Sequence, residues 1–107
     1  MADCTTPSRH IVRADGFEVV DAEGRVRISM GLLHDTPGEE VWGVSVRDAD
    51  GAERAWLASS GADGCEVGLA FAGNIVARMQ VDGAGEALMY LADPDGTPVS
   101  HWLAHPA

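Results

Sequence analysis

The sequence predicts an all-β protein, an antiparallel meander of about eight strands in four hairpins. Short runs rich in β-branched or aromatic residues recur along the chain, and turn-forming residues separate them. Every window of ten or more residues is interrupted by Gly, Pro or an Asp-Gly pair, so long helices are not expected. Such a meander is compatible with a barrel, a sandwich or an oligomeric β-prism, and the sequence leaves these three open.

The four hairpins follow one another along the chain. They are predicted to pair Gly16–Val20 with Arg25–Met30, Val41–Arg47 with Ala52–Ala58, Glu66–Ala72 with Ile75–Val81, and Glu86–Ala92 with Thr97–Leu103. A four-residue acidic corner that ends in Gly joins the first, second and fourth pairs, and Gly73-Asn74 joins the third. Longer connections are expected at Gly31–Glu40 and Ser59–Cys65 and a short one at Asp82–Gly85, so that the tight turns share one end of the sheet.

Each hairpin shows the two-residue alternation of a strand. In the first, RVRISM places Val, Ile and Met on one face and Arg and Ser on the other. In the second, VWGVSVR gives one face a Trp and two Val, and in the third, EVGLAFA gives one face Val, Leu and Phe. The fourth differs, because EALMYLA has apolar bulk on both faces. This strand is expected to be covered on both sides, by the core and by a partner chain.

The acidic corners raise the question of a metal site. A calcium loop of the EF-hand type needs oxygen ligands at positions 1, 3 and 5, Gly at position 6 and Glu at position 12. In DADGAERAWLAS the Gly falls at position 4, while Ala52 and Ser59 occupy positions 5 and 12. Asp at the first place of a type I turn, followed by a Gly with positive φ, explains the same pattern as the bend of a hairpin. We therefore predict bends and no metal.

Two arginines recur at the same place after these corners. Arg27 and Arg54 each follow the corner Gly by three residues and fall on the solvent face of their strand. An ion pair with a neighbouring Asp or Glu is the expected role. The alternative is a clamp for the carboxylate of a ligand, since a guanidinium binds carboxylates in a bidentate manner.

The largest side chains are the candidates for a core, an interface or a ligand site. Trp42, Trp56 and Trp102 each occupy a predicted strand and are expected to lie in the core or in a subunit contact. Alternatively, they line an apolar cavity for one small ligand, as an eight-stranded barrel allows. Met89 and Tyr90, on the two faces of EALMYLA, join them as interface candidates.

Composition limits the partners. The net charge is −10, and all seven basic residues are Arg, so no basic stripe is available for nucleic acid and anionic membranes are repelled. With two Phe, three Trp and one Tyr in 107 residues, large core-forming side chains are scarce. Burying more area between subunits compensates for a small core. We therefore expect a homo-oligomer, either a dimer or a trimer, and neither nucleic acid nor membrane as a partner.

The chain carries no leader-like start and no apolar run of about 18 residues, so a cytoplasmic protein is expected. In that compartment Cys4 and Cys65 are read as reduced thiols. No zinc-type spacing of His and Cys occurs, and no cofactor motif is present. Residues 1–12 are expected to form a flexible N-terminal arm, and residues 13–107 a single all-β domain.

The hairpin plan apolar-x-Asp-x-x-Gly-x-x-Arg-apolar resembles repeats in uncharacterised bacterial proteins rich in DEDGRVRA-like corners. This resemblance covers most of the chain and implies neither an activity nor a site residue. Two functions from different classes therefore stay open. The first is a binding or structural module that works through homo-oligomerisation. The second is a small β-barrel that binds or cyclises an apolar small molecule in biosynthesis, by shaping its substrate. The sequence does not decide whether the protein is an enzyme.

Overall fold

The computed structural model describes residues 11–60 and 64–104. Within them, eight strands form one antiparallel sheet in which each strand pairs with its neighbours in the sequence. The strands are β1 (Gly16–Val20), β2 (Val26–Thr36), β3 (Glu39–Arg47), β4 (Glu53–Ser60), β5 (Cys65–Phe71), β6 (Asn74–Val81), β7 (Ala87–Ala92) and β8 (Pro98–Ala104). The predicted all-β meander is confirmed. These residues form no helix, so none of them belongs to a helix able to cross a membrane.

One predicted long connection is wrong, and the predicted short one is a tight turn. Strand β2 continues to Thr36 and β3 begins at Glu39, so Gly31–Glu40 is mostly strand, closed by a turn in which Gly38 has a φ of 80°. Asp82–Gly85 is a tight acidic corner like the others: the Gly85 amide donates to the Asp82 carbonyl at 3.1 Å. Tight turns therefore occur at both ends of the sheet, because the same Asp-x-x-Gly chemistry recurs at each.

The third hairpin turns one residue earlier than predicted. Strand β5 ends at Phe71 and β6 begins at Asn74, so the loop is Ala72-Gly73. Both loop residues have positive φ, 52° for Ala72 and 82° for Gly73. Positive φ at both central positions is the signature of a type I′ hairpin turn, whose twist matches that of the flanking strands.

The sheet is open. Strands β1 and β8 are its edges, and in the described residues each pairs with one neighbour only. A closed barrel and a sandwich within one chain, two of the three architectures left open by the sequence, are therefore not formed. The physical reason is that hairpin corners specify pairing between successive strands, whereas closure also needs a stagger that brings the two edges together. An oligomeric prism stays a prediction.

A single layer leaves the described part of the chain without an apolar core. No apolar side chain among the described residues is buried, and the one buried polar side chain is Ser45, at 1% exposure. The radius of gyration is 17.6 Å, whereas a compact domain of this length has about 13 Å. A sheet must cover one face against another layer to be stable in water, and this chain supplies no second layer in its described residues.

Candidate functional site

One face of the sheet is almost entirely apolar, and we refer to it as the apolar face. Residues that lie directly opposite each other on neighbouring strands point to the same side, so the register assigns each side chain to a face. The apolar face comprises Phe17, Val19, Ile28, Met30, Leu32, Trp42, Val44, Val46, Ala55, Leu57, Ser59, Cys65, Val67, Leu69, Ala77, Met79, Val81, Ala87, Met89, Leu91, Ser100, Trp102 and Ala104. None of these residues is charged, and Ser59 and Ser100 are the two with hydroxyl groups. Carboxylates enter at one margin, where Glu40 pairs with Asp35 and accepts a hydrogen bond from the Trp42 indole N–H at 3.3 Å.

The apolar face is open to solvent in the single chain. Leu57, Leu69, Met79 and Trp102 each expose more than half of their surface, between 52% and 56%. In an antiparallel sheet the apolar face is ordinarily covered and the polar face is exposed to solvent. Contiguous apolar patches larger than a few hundred Å² are rare on monomers and mark interaction sites. The apolar face is therefore the candidate functional site of this protein.

A groove runs along the apolar face between β4 and β8. Its volume is about 400 Å³, and its apolar walls include Leu57, Val67, Met79, Met89 and Trp102. Pockets of about 300–1,000 Å³ with apolar walls are the usual size for small-molecule sites. The groove can hold either a small apolar molecule or the side chains of another protein layer.

On the opposite face, which we call the polar face, several side chains form hydrogen bonds with one another. The Trp56 indole lies directly over Gly68, where a Cβ would be 2.2 Å from the indole ring. Its N–H donates to a Glu66 carboxylate oxygen at 2.7 Å. The buried Ser45 hydroxyl donates to the Glu53 carboxylate at 2.5 Å. The absence of a side chain at Gly68 thus lets Trp56 cover the sheet on this side.

The recurrent arginines also lie on the polar face, as the alternation predicts. Arg27 donates from Nε to the Arg47 carbonyl at 3.0 Å and lies 3.6 Å from the Asp21 carboxylate. Arg54 repeats both contacts, with the Ala70 carbonyl at 2.9 Å and the Asp48 carboxylate at 3.6 Å. The predicted ion pairs are confirmed. Each arginine bonds its own hairpin corner and the next strand, so its role is to fasten neighbouring hairpins.

The third hairpin lacks this ion pair. Its arginine, Arg78, occupies the equivalent place, but the corner Ala72-Gly73 offers no carboxylate. The Arg78 guanidinium instead lies over the Tyr90 ring, 5.9 Å from its centroid. Its Nε is buried without a hydrogen-bond partner in the part of the chain that the structure describes. A cation over an aromatic face replaces the missing ion pair here.

The acidic corners are bends, as predicted. In the second hairpin the Asp48 Oδ1 accepts the backbone N–H groups of Asp50 and Ala52, each at 3.0 Å, and Gly51 has a φ of 88°. The Ala52 N–H, followed by that of Asp50 and the charge of Arg54, holds the pKa of Asp48 below its ordinary value. A carboxylate whose oxygens are engaged in this way has few lone pairs free to bind a metal. Within residues 11–60 and 64–104, no three His, Cys, Asp or Glu side chains are grouped to hold one.

The seven residues singled out from the sequence divide between the two faces. Trp42, Met89 and Trp102 lie on the apolar face, whereas Trp56, Tyr90, Arg27 and Arg54 lie on the polar face. The sequence did not single out Leu57, Leu69 and Met79, each of which exposes more than half of its surface on the apolar face. The strand alternation contained the signal, but only the register between strands shows that all these positions join into one surface.

The cysteines and the terminal arm are only partly covered by the structure. Cys65 is a free thiol at the rim of the groove on the apolar face. Cys4 and most of the predicted flexible arm 1–12 lie outside the described residues. A comparison with protein-family models and with curated proteins finds no match.

Proposed function

We propose that this protein is a binding or structural module that works as a homo-oligomer, a dimer or a trimer. One observation carries the proposal: among the described residues, no apolar side chain is buried within the chain. Stability in water requires that apolar surface be removed from solvent, and nothing in the described residues covers this surface. A second copy is available wherever the first is made, so self-association supplies the missing layer without another gene product.

Static light scattering on the purified chain tests this proposal. The chain mass is 11.2 kDa, and we expect a discrete multiple of it at micromolar concentration. A closed assembly gives one mass over a range of concentrations, whereas non-specific aggregation gives a growing one. A mass near that of a single chain, with the strands intact by circular dichroism, contradicts the proposal.

The groove favours a second candidate function, the binding of an apolar small molecule. Its walls are apolar and its volume of about 400 Å³ suits one small ligand. Titration with the uncharged fluorophore 1-N-phenylnaphthylamine tests this candidate. We expect saturation at one probe per chain and loss of binding in Met89→Arg, which places a charge in the wall. A fluorescence increase that never saturates, or that is the same in Met89→Arg, contradicts a defined ligand site.

A further inference from the structure

We infer that the apolar face is the surface through which two copies associate, packed face to face as the two layers of a β-sandwich. This inference rests on the proposed homo-oligomeric function and specifies the surface and the arrangement that accomplish it. In this dimer the two copies share one core, and their polar faces point outward.

The composition of the two faces decides which one is buried. The apolar face holds no charged residue in its paired rows apart from Asp35 and Glu40 at one margin, while the chain carries a net charge of −10. The acidic corners, Arg27, Arg54 and the glutamates Glu53 and Glu66 lie on the polar face or at the ends of the sheet. Packing through the central rows of the apolar face therefore desolvates no charge and keeps the like charges of the two copies apart.

The area of the face suits a stable dimer. Eight strands spaced about 4.8 Å apart, with about seven residues each rising about 3.4 Å, cover roughly 900 Å². A standard stable interface buries about 800 Å² on each partner. Two sheets of this size pack about 10 Å apart with their strands nearly aligned. Because the partners are identical, one two-fold axis closes the assembly and leaves no further apolar face.

Association through the edge strands would not bury the apolar face. Pairing β1 of one copy with β8 of another adds backbone hydrogen bonds but leaves Leu57, Met79 and Trp102 exposed. Exposed faces of that kind would then drive further, open-ended association. Face-to-face packing covers the surface in a single step, and side chains of the partner fill the groove between β4 and β8.

Two adjacent residues of β6 supply a matched test. Met79 lies on the apolar face and is 52% exposed, whereas Gln80 pairs with Leu88 and Glu66 on the polar face. Met79→Arg and Gln80→Arg add the same charge at neighbouring positions of one strand. We expect Met79→Arg to reduce the mass to that of one chain or to abolish folding, and Gln80→Arg to keep the mass of the wild type. If Met79→Arg also keeps it, the inference is wrong.

Oxidative footprinting of the unmodified protein tests the inference without a variant. Met30, Met79 and Met89 share the apolar face, whereas Tyr90 lies on the polar face. In the face-to-face dimer we expect hydroxyl radicals to oxidise the three methionines at least about tenfold more slowly than in urea, while Tyr90 stays reactive.

The outcomes of the two experiments separate this inference from the proposed function. A mass of two chains with protected methionines supports both. A multiple of the chain mass with methionines oxidised at the unfolded rate overturns the face-to-face interface and leaves the homo-oligomer standing. A discrete mass of three chains overturns the two-layer arrangement. A mass of one chain overturns the proposed function and this inference together.

Discussion

Asp48 shows how a single carboxylate determines a hairpin bend. Its Oδ1 accepts two backbone N–H groups, and its Oδ2 faces Arg54. Asp21 makes the same two backbone bonds, to Glu23 and Arg25. The sequence predicted these bends because the turn chemistry is local, and Asp and Gly three residues apart are sufficient to specify it. The outgoing strand begins two residues after the corner Gly, at Val26 and at Glu53.

The lowered pKa of Asp48 gives a pH dependence with a defined sign. Because its folded pKa lies below the ordinary value of 3.8, the ionised carboxylate stabilises the fold fully above that pH, and this contribution is lost as the pH falls through the folded pKa. Asp48→Asn keeps an oxygen for both N–H groups but cannot ionise. We expect this variant to have a lower urea midpoint than the wild type at pH 7, and the difference to shrink as the pH falls below 3.8.

Asp50→Asn is the control for this experiment, since the Asp50 carboxylate accepts no hydrogen bond in the described part of the same corner. Its difference from the wild type at pH 7 should be small. If the difference for Asp48→Asn is as large in acid as at pH 7, the carboxylate does not act through its charge, and the explanation of the corner is wrong.

Ala72 is the residue that the local turn chemistry fits least well. It has a φ of 52° in a type I′ loop, a conformation that favours Asn or Gly over Ala. Ala72→Asn should therefore raise the free energy of unfolding by about 1 kcal/mol in a urea melt. Ala49→Asn, at a corner position without positive φ, should give no comparable gain. Equal effects of the two variants would show that the backbone at Ala72 is not the cause.

Among the elements, β4 and β5 are held together by a contact that depends on the smallest residue. The Trp56 indole occupies the space that a side chain at Gly68 would need. Gly68→Ala should therefore cost about 1–3 kcal/mol, because the indole has to move away from its bond to Glu66. In a Trp56→Leu background the same substitution should cost much less, since the obstructing ring is gone. An equal cost in both backgrounds would assign the loss to backbone flexibility instead.

The strands themselves were largely predictable. Alternation placed seven of the eight within two residues of their observed ends, because each strand has its own apolar and polar sides. Strand β2 was predicted too short, since the stretch after Met30 contains Gly31 and breaks the alternation at the register shift between Leu32 and His34. A bulge inserts one residue and reverses the pattern, which no period-two rule anticipates.

For the molecule as a whole, the distribution of apolar residues between the two faces could not be read from single strands. The sequence indicated a small core and an oligomer, but it assigned Tyr90 and Trp56 the same candidate roles as Met89 and Trp102. The register separates these pairs onto opposite faces. The alternation shows that each strand has an apolar face, and only the pairing of all eight strands shows that the described residues supply no second layer to cover it.

The dependence of unfolding on protein concentration tests most directly whether the core of this protein lies between copies. If folding and association are one event, a hundredfold rise in concentration stabilises a dimer by about 2.7 kcal/mol, and the urea midpoint should rise by roughly 1 M. Loss of strand structure and loss of the assembled mass should coincide in the same transition. A midpoint that is independent of concentration over this range, with cooperative unfolding, would show that a single chain is stable alone and would contradict the proposal.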